Sequence, residues 1–86
     1  MDREKKLLRA KGKKLEPVVR IGKSGINENS VKEINKVLEK RRLIKIKLLQ
    51  SSFKAGEKDK IVNEIVSKTH SVLIESIGNV VVIYRS

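Results

Sequence analysis

The sequence has no cysteine and no tryptophan, and it has one histidine, one tyrosine and one phenylalanine in 86 residues. Without cysteine the chain cannot form disulfides, use a thiol nucleophile or bind a metal through thiolates. No apolar run approaches the ~18 residues of a membrane span, and the first residues lack the apolar segment of a signal peptide. We therefore expect a cytoplasmic protein with no membrane partner.

Residues that could support catalysis are equally scarce. The single histidine, His70, falls at the end of a predicted helix, where stabilising the helix dipole or simple exposure explains it better than ligation or catalysis. The ten carboxylates are scattered among lysines, and no metal-binding or nucleophile motif is present. We expect no enzymatic activity, no catalytic residues, no metal, no cofactor and no small-molecule substrate.

Positive charge is abundant and unevenly distributed. The formal net charge is +11, from 21 basic and 10 acidic residues. Residues 1–25 carry nine basic and three acidic side chains (net +6), residues 26–50 seven and three (net +4), and residues 51–86 five and four (net +1). This balance indicates a polyanionic partner and favours a binding surface built by the first half of the chain. A membrane surface is the weaker alternative, because no helix joins aromatic anchors to a basic face.

The few aromatic residues limit how a nucleic acid could be bound. With Phe53 and Tyr84 alone, a sheet cannot form the stacking platform of RNA-recognition motifs or OB-folds. Binding should therefore depend on phosphates, sugars and shape, and should weaken steeply with added salt.

The hydrophobic pattern predicts one small α/β domain with the order αβαβαββ. Gly12 is the expected stop of the first helix, and Gly78-Asn79 indicates a tight hairpin between the last two strands. The two strand–helix–strand connections place the strands in one four-stranded mixed sheet. The predicted helices span residues 3–11, 28–41 and 59–70, and the predicted strands span residues 18–21, 43–48, 72–77 and 80–85.

The most informative stretch is residues 17–31. A β-branched run, residues 18–21, ends at Gly22-Lys23-Ser24-Gly25, and Asn27 then provides an N-cap for the second helix. Glycines allow a close backbone approach, a helix start attracts anions, and Lys23 adds a full charge. The pattern suits a phosphate, although a purely structural turn would give the same glycine spacing. It is not a Walker A motif. It is similar to the GxxG loop of KH domains, but that loop joins two helices, and the predicted strand before Gly22 counts against a KH domain.

Other basic residues allow more than one interpretation. Lys45 and Lys47 alternate with Ile44 and Ile46, so they either contact phosphates or form the ordinary outer face of a half-covered sheet. Lys40, Arg41 and Arg42 end the second helix, where stabilisation of the helix dipole explains them adequately.

Three segments together resemble the CRM domain, the chloroplast RNA splicing and ribosome maturation family. They are residues 15–26, the run Leu43-Ile44-Lys45-Ile46-Lys47 and the closing Val82-Ile83-Tyr84-Arg85. The similarity covers nearly the whole chain, and the chain is similar to the stand-alone prokaryotic YhbY-like members. It implies a fold like the C-terminal domain of translation initiation factor three. It also implies binding to RNA in precursors of the large ribosomal subunit.

The family resemblance and the charge pattern together give the candidate RNA-binding residues. The loop contributes Gly22, Lys23, Ser24 and Gly25, and basic support comes from Arg3, Lys6, Lys13, Lys14 and Arg20. We interpret residues 1–86 as a single CRM-like RNA-binding domain that acts as a monomer in ribosome assembly. Two alternatives remain open at this point: a DNA- or chromatin-binding protein, and a protein-interaction module on the ribosome.

Overall fold

A computed structural model describes residues 2–22, 25–49 and 56–86 and confirms the predicted α/β order. The helices are α1 (Asp2–Lys13), α2 (Glu28–Arg41) and α3 (Lys58–Thr69). The strands are β1 (Val19–Ile21), β2 (Leu43–Leu48), β3 (Val72–Ile77) and β4 (Val80–Tyr84). The bounds of α2, β2 and β3 agree with prediction, while β1, α3 and β4 differ by one residue at one or both ends. Phe53 and most of the loop before α3 lie outside the described residues.

The four strands form one mixed sheet in the order β1-β2-β4-β3. β1 pairs with β2 in parallel, and β4 lies antiparallel between β2 and β3. The hairpin at Gly78-Asn79 is confirmed, and Gly78 has the positive φ of 57° that a tight turn requires. The sheet therefore brings the C-terminal ends of β1 and β2 next to the β3–β4 turn.

The main core lies between one face of the sheet and the helices α2 and α3. The predicted alternation of β2 is confirmed, since Ile44, Ile46 and Leu48 are buried on one face. The other residues of the main core come from β1, β4, α2 and α3: Val19, Ile21, Val81, Ile83, Ile34, Leu38, Val62 and Ile65. Alternation of side chains leaves the lysines of β2 on the opposite face.

Helix α1 packs on that opposite face, and its glycine does not end it as the sequence predicts. Gly12 lies inside α1, is buried, and sits so close to β4 that an added Cβ would be 3.0 Å from Val82 Cγ1. Even the methyl group of alanine would require α1 or the Val82 side chain to shift by a few tenths of an ångström. The glycine thus permits close packing, a tertiary contact that a local helix-stop rule does not include.

A bulge interrupts β3 between Leu73 and Glu75. Leu73 packs against the main core, whereas Ile74 and Glu75 both line cavities bordered by α1. Two consecutive side chains therefore point to the same face, which is what an extra residue in one strand produces.

The guanidinium of Arg85 hydrogen-bonds to the middle of α2 and to the end of α3. It donates to Asn35 Oδ1 and Thr69 O, both at 2.7 Å, and to Asn35 O at 3.3 Å. The Arg85 backbone N–H also donates to Arg42 O at 2.9 Å. Arg85 thus ties the last residues of the chain to both α2 and α3, and its guanidinium donates three hydrogen bonds within the fold.

Candidate nucleic-acid interface

Three backbone segments meet at one end of the sheet. Leu49 N–H donates to Ile21 O at 2.9 Å, which fixes the start of the glycine loop against the end of β2. Leu48 N–H donates to Asn79 O at 2.7 Å, which adds the β3–β4 turn. We call this end, where the glycine loop leaves β1, the loop end of the sheet.

The glycine loop is a tight turn, as its sequence predicts. Gly25 N–H donates to Gly22 O at 2.9 Å, and Gly25 has a φ of +66°, in the left-handed region that favours glycine. Lys23 and Ser24, which lie between these glycines, are outside the described residues. Their predicted contacts with a ligand therefore stay predictions.

The turn leads directly into the predicted start of α2. Asn27 Oδ1 accepts a hydrogen bond from Ser30 N–H at 3.0 Å, which confirms Asn27 as the N-cap. Ser30 Oγ lies 3.4 Å from Gly25 O and so connects the helix back to the loop. An exposed acidic residue, Glu28, occupies the first turn of α2 and already interacts favourably with the helix dipole. A phosphate at this helix start would depend on nearby cations to offset that negative charge.

The cations described at this end of the sheet lie on its α1 side, the face opposite to α2. The β1–β2 register places Arg20 beside Lys47, so two exposed cations stand on neighbouring strands about 4.8 Å apart. Lys45 lies on the same face two residues before Lys47 and shares a groove of about 250 Å³ with Lys13 and Glu75. We call Lys13, Arg20, Lys45 and Lys47 the basic sheet face.

No ion pair joins Arg20, Lys45 or Lys47 to an acid among the residues that the structure describes. The ion pair found there, Glu64–Lys68 at 3.9 Å, is on α3, and Glu75 borders the same groove as Lys45 without pairing with it. Like charges side by side on a sheet are destabilising unless something compensates them. The basic sheet face is therefore suited to an external anion.

The predicted basic residues do not all lie together. Lys13 and Arg20 belong to the basic sheet face, and Lys14 is exposed in the turn after α1. Arg3 and Lys6 are exposed on the first half of α1. That half packs near the opposite end of the sheet, since Glu4 and Leu8 border Val72 and Tyr84. The structure thus separates Arg3 from the loop end by roughly the length of α1, ~18 Å.

Lys45 and Lys47 were left undecided by the sequence, and the structure adds them to the surface. Their alternation with isoleucines gave their face but not their neighbours. Only the register between β1 and β2 shows that Arg20 and Lys47 are adjacent. The alternation in β2 therefore predicts which face carries the two lysines, but it does not predict that Arg20 lies beside them.

Within the described ranges, no cluster of three acidic, histidine or cysteine residues could hold a metal ion. No helix of that part of the chain is both long and apolar enough to cross a bilayer. His70 is exposed at the end of α3, where it adopts a left-handed backbone conformation with φ of 52°. It lies far in the sequence from the basic sheet face and contributes nothing to it.

Comparison with known proteins gives consistent results. Residues 1–85 match the model of the CRS1 / YhbY (CRM) domain. The chain is 36% identical over 83 residues to the "Probable RNA-binding protein YqeI" of Bacillus subtilis, covering 96% of this chain and 84% of that protein. It is 32% identical to an "RNA-binding protein" of Haemophilus influenzae, covering 96% and 82% of the two chains.

A relative from an archaeon and a solved structure extend the comparison. The chain is 33% identical over 81 residues to a "Probable RNA-binding protein" of Methanocaldococcus jannaschii, covering 94% of this chain and 60% of that one. The solution structure of SAV1595 from Staphylococcus aureus, described as a candidate RNA-binding protein, superposes with a TM-score of 0.83 at 38% identity. That match covers 100% of this chain and 88% of the other. With its fold, its turn and its sequence in agreement, the chain belongs to the CRS1/YhbY (CRM) domain family.

Proposed function

We propose that residues 1–86 form an RNA-binding domain that acts as a monomer on ribosomal RNA in precursors of the large ribosomal subunit. The observation that carries this proposal is the uncompensated Arg20–Lys47 pair beside the Gly22–Gly25 turn. The relatives named for RNA binding support the choice of RNA as the polyanion. The proposed role implies a cytoplasmic location and requires no catalytic group.

The proposed mechanism assigns the two parts of the surface to different tasks. The glycine loop and the start of α2 hold one phosphate, with Lys23 supplying a charge and Ser24 a hydroxyl. The basic sheet face then follows the RNA backbone across β1 and β2. Because this surface offers phosphate contacts rather than a row of aromatic rings, it recognises the shape of a structured RNA.

The direct test is binding to ribosomal RNA fragments and to duplex DNA across a salt series. We expect tighter binding to structured RNA than to DNA at matched salt. The double variant Lys23→Asp/Ser24→Asp should lose most of this binding, because it replaces a cation and a hydroxyl with two anions. Circular dichroism should show an unchanged fold in that variant, since both substitutions are in a turn.

A matched control makes the same two substitutions elsewhere. Lys60 and Ser67 are both exposed on α3, so Lys60→Asp/Ser67→Asp makes the same change of charge outside the loop and the basic sheet face. This control should retain nearly all RNA affinity at moderate salt. Equal losses in the two variants would reduce the effect to overall charge and overturn the loop site. Equal affinity for RNA and DNA would favour a general nucleic-acid-binding protein, and no affinity for either would favour a protein-interaction module.

A further inference from the structure

A second cationic surface lies at the opposite end of the sheet. The cleft there has a volume of about 560 Å³ and is formed where α1 passes over the start of β2 and the end of β4. We call it the far-end cleft. Its floor is apolar and its rim is cationic, and the residues that matter are Leu8, Leu43, Tyr84, Lys11, Arg41 and Arg42.

The cations of the rim are available to a ligand. Lys11, Arg41 and Arg42 are exposed, and among the described residues none of their side chains has a hydrogen-bond or ion-pair partner. They come from two helices that are far apart in sequence, so the fold itself brings the three positive charges together. A favourable interaction with the dipole of α2 explains why Arg41 and Arg42 are positively charged. It does not explain why Lys11, which belongs to α1, lies beside them.

The floor of the cleft contains Tyr84, the one phenylalanine, tyrosine or tryptophan among the described residues. Tyr84 is half-buried and lines the far-end cleft as well as two adjoining cavities, so its ring is accessible from more than one side. A nucleic-acid base stacks well on such a ring, and one ring accommodates one base. The leucines complete an apolar pocket for the base and exclude a bare phosphate from the floor.

We propose that the far-end cleft binds one unpaired nucleotide of RNA, with its base against Tyr84 and its phosphate among Lys11, Arg41 and Arg42. This inference rests on the proposed RNA-binding function and adds a second site to it. The two ends of β2 are about 17 Å apart at ~3.3 Å per residue, so the cleft and the glycine loop contact different nucleotides. One protein molecule can thus hold a structured segment and a single-stranded segment together.

Intrinsic fluorescence tests the proposal directly, because Tyr84 is the one tyrosine and there is no tryptophan. The probe is an oligouridylate of about ten nucleotides, a length that single-stranded sites commonly span. We expect it to quench Tyr84 after correction for absorbance, while inorganic polyphosphate does not. Equal quenching by polyphosphate would show a phosphate site without base recognition and would overturn the proposal.

Three variants test whether oligouridylate binds at the far-end cleft. Lys11→Gln/Arg41→Gln/Arg42→Asn should abolish quenching, and asparagine suits position 42, where φ is 62°. Tyr84→Leu keeps an apolar contact in the floor and should weaken oligouridylate binding about ten-fold. Because this variant has no tyrosine to quench, its binding is measured from the anisotropy of a fluorescently labelled oligouridylate, with the wild-type protein measured in the same way. The control Lys36→Gln/Lys60→Gln/Lys68→Gln removes the same charge from the outer surfaces of α2 and α3 and should leave quenching unchanged.

The loop variant separates this proposal from the one on which it rests. Lys23→Asp/Ser24→Asp should lose structured ribosomal RNA but retain quenching by oligouridylate. If the wild-type protein binds structured RNA but oligouridylate never changes the Tyr84 signal, the far-end cleft is not a nucleotide site, although the RNA-binding function stands. If the loop variant and the cleft variant lose both activities together, the two sites are not distinct and the inference is wrong.

Discussion

At the scale of single residues, the two glycines of the loop have different reasons to be glycine. Gly25 has a positive φ, so alanine there is strained and should lower the free energy of unfolding by about 1 kcal/mol. Gly22 has no such conformation, and an added Cβ would make an ordinary 3.6 Å contact with Leu49. Gly22→Ala should therefore change the unfolding free energy by less than about 0.5 kcal/mol, yet weaken RNA binding by keeping the ligand off the backbone.

Urea unfolding and RNA titration of both alanine variants check this pair of expectations. Full RNA affinity in Gly22→Ala would mean that the RNA does not approach the backbone at Gly22. Full stability in Gly25→Ala would mean that the turn relaxes at little cost.

Arg85 is a second residue whose role the structure defines. Its planar guanidinium reaches two oxygens of Asn35 and one of Thr69, a geometry that lysine cannot reproduce. Arg85→Lys should lower the free energy of unfolding by about 1–3 kcal/mol, because partly buried acceptors lose charged hydrogen bonds. RNA affinity, measured well below the melting temperature, should not change.

The exposed Arg41 provides the matched comparison, since Arg41→Lys should alter stability by no more than about 0.5 kcal/mol. A loss of RNA affinity in folded Arg85→Lys would contradict the structural role and assign this arginine to the interface.

At the scale of elements, β1 and β2 bring two like charges together for an external partner. Lys47→Glu would give Arg20 an ion-pair partner across the strands and should raise the unfolding free energy by about 0.5 kcal/mol at low salt. The same variant should bind RNA more weakly, so stability and affinity should change in opposite directions. Chemical denaturation and RNA titration on the same samples measure both.

Lys36→Glu is the control for charge alone, because Lys36 is exposed on α2 and away from the sheet. It should leave stability nearly unchanged and reduce affinity less than Lys47→Glu does. If Lys47→Glu lowers stability, the Arg20–Lys47 register does not impose the repulsion that we infer.

Local signals explain why some elements were predictable and others were not. Asn27 and the helical spacing after it define α2, and the alternation in β2 defines its buried face, so both were predicted with their bounds. The prediction that Gly12 ends α1 was wrong, because the position requires a small residue for its contact with Val82, 70 residues later in the sequence. The adjacency of Arg20 and Lys47 depends on parallel register, which no local pattern contains.

At the scale of the whole molecule, the net charge of +11 and its placement make separate contributions to binding. For a duplex nucleic acid, each phosphate that is neutralised changes the slope of log affinity against log salt by about 0.9. With a structured, largely double-helical RNA, Lys45→Gln/Lys47→Gln should reduce that slope by about 1.8 if both lysines contact phosphates. Titrations at several salt concentrations measure the slope, and Lys36→Gln/Lys60→Gln should leave it unchanged. Equal reductions in the two double variants would show that the RNA responds to net charge rather than to the basic sheet face.

The edges of the sheet have a further consequence for many copies gathered on one RNA. Concentrating a protein along a polyanion favours intermolecular strand pairing wherever a long, flat sheet edge is exposed. Here one edge is β1, which has three residues, and the other is β3, which the bulge at Leu73/Glu75 interrupts. Neither edge offers a long continuous template for another strand. We therefore expect the bulge that turns Ile74 toward α1 also to limit aggregation at high protein concentration.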